Sequence, residues 1–325
     1  TKGVIMEIFK LNEEIKFNGQ ERIFIDTNSE KNILEIARKN NNVKIKYKEL
    51  LRNDYVLSLH KDNISQFCKR NKVYKLFTKA HRFDQYKDVL YRLNEPSGRK
   101  INEKATKKLL VIFAKMPGAE QYDSAKIPHR MIPPFFEDIE RSLAKNVYTM
   151  RIMDLNVSHG SHYINTVNYS NYENEIQEAI IQVQEKLDIE QKNVILYGVS
   201  RGGAGAIYHG SDMDYKTLAV DPIINIGGKL YGNDRRILKD LRKEDLVPDI
   251  NNNLEKSNEF QKVIICSENV EAYYEQSLRL NSDKVNIINM KDDMITAHPK
   301  VSPNTVPEQL MILNMLLSDF KVQLN

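Results

Sequence analysis

The chain has 325 residues, enough for one large α/β domain or for a domain with a smaller appendage. Hydrophobic residues make up 41% and charged residues 28%, and Lys+Arg exceed Asp+Glu by only 48 − 44 = 4. That composition excludes a disordered or fibrous chain, and the lysines are spread rather than clustered, so no nucleic-acid footprint is expected. No apolar stretch approaches the roughly 20 residues of a membrane span, and no signal peptide is recognised, so a cytoplasmic location is expected. Cys68 and Cys266 lie in different segments, and reduced, buried thiols are expected rather than a disulfide.

Residues 1–86 read as a small α/β appendage or lid. Strands are expected at 23–25, 43–47 and 56–59, and a helix over 29–39 with Ser29 as its N-cap. His60 and His81 read as surface or structural histidines rather than ligands. From residue 87 to 325 strands and helices alternate, which predicts a mainly parallel sheet covered by helices on both faces. Strands are expected at 88–94, 109–114, 147–153, 194–197, 217–220, 263–266 and 285–288. Helices are expected at 133–144, 172–187 and 307–320.

The stretch NVILYGVSRGGAGAIYH, residues 193–209, carries the chemistry. An apolar strand runs into Gly198-Val199-Ser200-Arg201-Gly202, and a small-residue helix follows. This is the G-x-S-x-G nucleophile elbow between a strand and a helix, the setting it requires. Neither a Walker-type nor a dinucleotide-binding glycine pattern is present. The helix start after Ser200 offers free N–H groups where an oxyanion would develop, so Arg201 is one candidate donor. The loop after the 109–114 strand is the expected source of the second, from Lys115 or Met116.

In such a layout nucleophile, acid and base follow in chain order, each just beyond a strand's carboxyl end. Ser200 is the candidate nucleophile, and His298, the one histidine after His209, the candidate base. Glu268, after the penultimate strand, is the preferred acid, with Asp221, after the strand before it, as the alternative. The loop Leu155-Asn156-Val157-Ser158-His159-Gly160-Ser161-His162 lies at the carboxyl edge of the sheet, where ligands bind in open α/β folds. His159 and His162, with Arg201, are candidate contacts for an anionic substrate. A metal set of Asp154, His159 and His162 is disfavoured because H-x-x-H lacks helical context. This 154–166 loop and the 1–86 appendage are the segments expected to roof Ser200.

These residues resemble the α/β-hydrolase superfamily over roughly 88–325. More narrowly, RMIPPFFEDIERSL, MRIMDLNVSHGSHYINT and ILYGVSRGGAGAIYHG resemble the XcbB/CpsF family of capsular-polysaccharide biosynthesis proteins, with a general likeness to the accessory secretion protein Asp-two and to capsule O-acetyltransferases. That resemblance implies a bacterial, cytoplasmic serine acyltransferase with acetyl-CoA as co-substrate, no metal, and a capsular or surface polysaccharide as acceptor. It also implies association with capsule biosynthesis proteins. An esterase with the same triad, or a hydrolase-fold module without catalysis in a capsule or secretion complex, are the alternatives.

Overall fold

The computed structural model describes residues 7–77, 83–227, 232 and 234–318. The first part forms a four-stranded sheet in the order β1-β2-β4-β3, from strands Ile8–Lys10 (β1), Arg22–Asp26 (β2), Tyr55–Lys61 (β3) and Ile64–Lys69 (β4). Helices Ile33–Ala37 (α1) and Asn41–Arg52 (α2) pack on it. The expected strand at 43–47 is instead the first half of α2. Val43, Tyr47, Leu50 and Leu51 are its buried positions, a spacing of four and three that places them on one helical face. The expected Ser29 cap is also displaced. Asn32 caps α1 by accepting from Leu34 and Glu35 N–H, and the Glu35 side chain accepts from Asn32 N–H in return. His60 bonds Ser65 of β4 and the Ser29 carbonyl in the loop after β2, whereas His81 lies outside the described residues.

The second sheet has eight strands: Asp84–Tyr86 (β5), Val89–Asn94 (β6), Lys108–Phe113 (β7), Val147–Ile152 (β8), Val194–Val199 (β9), Lys216–Val220 (β10), Lys262–Cys266 (β11) and Asn286–Asn289 (β12). Their order is β12-β11-β10-β9-β7-β8-β6-β5. Pairing is parallel from β12 to β8 and antiparallel at β6 and β5. Strand periodicity assigns the two faces. Leu109, Val111 and Phe113 of β7 pack with Ile176, Ile180 and Val183 of helix Tyr172–Leu187 (α4), while Leu110 and Ile112 share a core with Ile312, Leu313 and Leu316 of helix Val306–Leu317 (α9). The α9 helix starts one residue before expectation, and residues 319–320 of the expected helix lie outside the described residues.

The expected helix at 133–144 is not formed. Pro133 and Pro134 offer no N–H to a helical ladder, and only a short 3-10 turn, Ile139–Ser142, follows. The helix of this crossover lies earlier, at Ile127–Met131 (α3). Between β9 and β10 runs the helix Arg201–Asp212 (α5), with Arg201 through Ser211 buried. Helices Val247–Lys256 (α6), Glu271–Leu278 (α7) and His298–Val301 (α8) complete the layers. The two sheets share a core, in which Val56 of β3 and Cys68 of β4 pack with Leu90 of β6. Val157, Ile223, Ile226, Ile237, Leu238 and Leu241 pack in one cluster with Ile23, Leu34, Tyr47 and Phe67 of the first part. Among the described residues no helix is long and apolar enough to cross a membrane.

Both cysteines are free and buried, and burial pushes the Cys68 thiol up to about 11 and Cys266 up to about 12. Because the thiolate is the reactive form, neither is expected to react with a water-soluble disulfide reagent at pH 8 in the native protein. Both should react at once in concentrated urea. Stoichiometric native labelling would contradict this packing.

Candidate active site

The elbow is built by close approach of backbone to backbone. Ser200 sits at φ 58°, ψ −115°, between the last residue of β9 and the first of α5. A Cβ at Gly198 would overlap the Gly202 carbonyl, and one at Gly202 would overlap the Phe113 carbonyl, so neither position tolerates a larger residue without movement. Ser200 N–H donates to Val220 O at 2.8 Å, and Ser200 C=O accepts from Ile223 N–H at 3.2 Å. Asp221, at φ 42°, lies on the turn between those two partners, and its N–H donates to Ile265 O at 2.7 Å.

His298 opens α8 and meets both. Its Nε2 is 2.8 Å from Ser200 Oγ and its Nδ1 is 2.6 Å from Asp221 Oδ2. The Tyr273 ring lies against the imidazole with centroids 4.4 Å apart. The side chain of Asp221 is 1% exposed and that of His298 is 18% exposed. Burial raises the Asp221 carboxyl above its usual range, and the hydrogen bond and charge of His298 act the other way. A buried carboxylate on Nδ1 places the proton there and leaves Nε2 free to accept from the serine hydroxyl.

Glu268 does not take this place. Its carboxylate accepts from Asn289 Nδ2 at 2.7 Å, lies 3.6 Å from Lys291 Nζ and is 46% exposed. The reason is strand order: β10 is the neighbour of the nucleophile strand β9, while β11 is one strand further out. The turn after β10 therefore carries its acid beside Ser200. The turn after β11, held by Ser267 Oγ donating to Met290 O at 2.7 Å, turns Glu268 toward β12.

The three residues expected to touch an anionic substrate are all fully buried. His159 bonds the Tyr122 carbonyl at 2.7 Å, and His162 faces the Ile223 carbonyl at 3.4 Å. Burial with nearby arginines holds both imidazoles well below the usual histidine range, hence neutral. The Arg201 guanidinium points inward, onto main-chain carbonyls. Asp154, at the head of the loop, accepts from the N–H of Ser161 and His162 and from Tyr172 Oη, so it organises the loop. Among the described residues no group of three or more His, Cys, Asp or Glu is arranged to hold a metal ion.

A cavity of about 390 Å³ opens on Ser200 and His298. Its walls are Lys115, Met116, Pro117, Phe135, Phe136, Pro299 and Val306, among others, and include nothing from the first sheet or from residues 154–166. The first sheet and the 154–166 loop, expected to roof Ser200, therefore do not wall this cavity. Lys115 and Met116 line it as the sequence led one to expect, whereas Phe135, Phe136, Pro299, Ser302, Pro303 and Val306 were not connected to the site from sequence. Of the candidate oxyanion donors, Lys115 and Met116 line this cavity, and Arg201, the first residue of α5, follows Ser200 directly. A serine hydroxyl bonded to an imidazole that is itself bonded to a buried carboxylate, at the wall of an open cavity, has the parts that acyl transfer uses.

The family model described as accessory Sec system GspB-transporter matches residues 144–298. The accessory Sec system protein Asp-two of Staphylococcus aureus (strain NCTC 8325 / PS 47) is 32% identical over 120 residues, covering 37% of this chain and 20% of that protein. The match thus spans about a fifth of the length of the curated relative. Among solved structures, the Glycosylation Associate Protein (Gap123) complex from Streptococcus agalactiae aligns with a TM-score of 0.50 and 18% identity, over 74% of this chain and 47% of that one. The capsule O-acetyltransferase of Neisseria meningitidis serogroup A aligns with a TM-score of 0.49 and 13% identity, over 71% and 93%. The fold is α/β-hydrolase-like, a mainly parallel sheet with helices on both faces and an elbow serine at the carboxyl end of a central strand.

The geometry predicts that Asp221→Asn lowers kcat on a simple acetyl ester by about four orders of magnitude, since the amide no longer holds the required tautomer. Glu268→Gln should stay within about twofold of the parent. Steady-state kinetics on the two folded variants check this, and the reverse ordering would return the acid's role to Glu268.

Proposed function

We propose that this chain is a serine acyltransferase that moves an acetyl group from acetyl-CoA to a hydroxyl of a bacterial surface glycan. The observation that carries the reading is the unbroken contact from Asp221 through His298 to Ser200 Oγ at the wall of an open cavity. In the first step His298 Nε2 takes the serine proton as Oγ attacks the thioester carbon. The oxyanion is held by N–H groups of Arg201 and the 115–116 loop. The carbon–sulfur bond then breaks, and CoA leaves with the proton from His298. In the second step a sugar hydroxyl gives its proton to Nε2 and attacks the acetyl-serine carbon. Ser200 leaves and recovers the proton, and the O-acetyl sugar departs.

The cavity supports a ligand with apolar and anionic parts. Aromatic, proline and valine side chains line it, and among the described residues Lys115 is the one lysine, arginine, aspartate or glutamate in its wall. Lys115 Nζ lies 5.4 Å from the Phe135 ring centroid, and partial burial pulls its ammonium below the usual lysine range. A partly desolvated cation of this kind suits a CoA phosphate or an acidic sugar. It takes over the role expected of Arg201, His159 and His162. The resemblance to capsule-biosynthesis proteins supports the glycan as acceptor. The match over 144–298 contains Ser200, Asp221 and His298, and supports a setting in which this activity works alongside glycosylation or secretion proteins.

Free CoA should appear slowly from acetyl-CoA alone and faster when the correct oligosaccharide is added, with acetyl recovered on the sugar by mass spectrometry. Fast cleavage of simple acetyl esters, with CoA release indifferent to every glycan offered, would make the protein an esterase. Equal CoA release by the Ser200→Ala variant would remove the acyl-serine route.

A further inference from the structure

Arg201 follows the nucleophile directly, yet its side chain turns away from the cavity and is fully buried. Its guanidinium gathers main-chain carbonyls from three segments. Nε donates to Ala114 O at 3.1 Å, and Nη2 donates to Lys115 O at 2.6 Å and to Met131 O at 3.3 Å. Nη1 donates to Arg130 O at 2.9 Å and to His159 O. The charge is balanced by Asp154, whose Oδ2 lies 3.7 Å from Nε.

Two of those carbonyls belong to the loop that walls the cavity. A trans peptide is planar, with C=O and N–H on opposite sides. When Arg201 draws the Ala114 and Lys115 oxygens into the interior, the N–H groups of Lys115 and Met116 must face the other way, away from the guanidinium. Residues 115 and 116 line the cavity that holds Ser200 Oγ. A second arginine extends the arrangement. Arg130, also fully buried, donates to Ser124 O at 2.7 Å, to Ser158 O at 2.6 Å and to Leu57 O in β3. Its own carbonyl is one of those Arg201 holds. Tyr47 of α2 meets Ser158 Oγ at 2.8 Å beside it.

We infer that Arg201 is the positioning residue of the oxyanion hole. Its backbone N–H is one donor, and its guanidinium aims the Met116 N–H as the other, with Arg130 anchoring that frame to the first sheet. The inference rests on the acyl-serine reading. A lysine at 201 keeps the charge but has no planar fork to hold several carbonyls at once. A proline at 116 deletes the donor N–H itself without touching the guanidinium.

The test is a double-variant cycle on the full chain with a chromogenic acetyl ester, together with hydrogen exchange of the peptide covering residues 114–118. R201K and M116P are each expected to lower kcat by about 10²–10³-fold, the usual cost of losing one oxyanion donor, with KM within about threefold. The double variant should be little worse than either alone, because both remove the same donor. Exchange at 114–118 should speed up in R201K while α9 is unchanged. Multiplicative losses, a loss carried by KM, or an R201K enzyme near the parental rate would overturn the assignment. Should R201K fail to fold, M116P decides alone: full kcat in that variant overturns it. A parent protein with no Ser200-dependent turnover is a separate result. It removes the acyl-serine reading, and faster loop exchange in R201K would then show a purely structural clamp, which also overturns the assignment.

Discussion

One pair of main-chain hydrogen bonds underlies the candidate site. Ser200 gives its N–H to Val220 and takes one from Ile223, so the elbow after β9 is stitched to the turn after β10. Asp221 sits inside that stitch. Candidate nucleophile and candidate acid are thus placed by the same local structure, and both have positive φ, at 58° and 42°. Such conformations cost of order 1–3 kcal/mol each for residues with a side chain and persist where surroundings over-determine them. Here the surroundings are a parallel sheet whose central strands are buried on both faces, and a helix whose glycines press it against Phe113 and its neighbours.

The loop beside the elbow follows the same logic. The loop at 154–163 is buried throughout, and Val157, Gly160, His162 and Tyr163 have positive φ. Its polar residues are not a binding surface. Asp154 satisfies the N–H groups of the loop, and the two arginines satisfy its carbonyls. Without these partners a buried irregular backbone would leave unpaired polar groups, each costing of order 1–3 kcal/mol. The first part of the chain takes part through Leu57 O of β3 and Tyr47 of α2.

Much of this was legible in the sequence where one local rule dominates. The apolar runs at 109–114 and 194–197 read as strands, 172–187 as an amphipathic helix, and G-x-S-x-G as an elbow. The chain order of serine and histidine identified the pair that the fold brings to 2.8 Å. What could not be read depends on lateral order. Glu268 and Asp221 both end strands, and choosing between them requires knowing which strand is β9's neighbour. Polarity also misled. His159, His162 and Arg201 look like surface chemistry in a one-dimensional reading, but their partners are main-chain carbonyls that carry no sequence signal. The helix at 41–52 was lost because V-K-I-K-Y alternates like a strand, although Leu50 and Leu51 continue a helical face.

The central claim is that acetyl passes through Ser200 Oγ. Rapid acid quenching of the protein with acetyl-CoA, followed by mass mapping of the peptide containing residues 193–209, tests it most directly. One acetyl group on Ser200 is expected, building up in the absence of glycan and cleared when the acceptor is added. An unmodified serine during turnover, or acetyl on another residue with Ser200 untouched, would contradict the account.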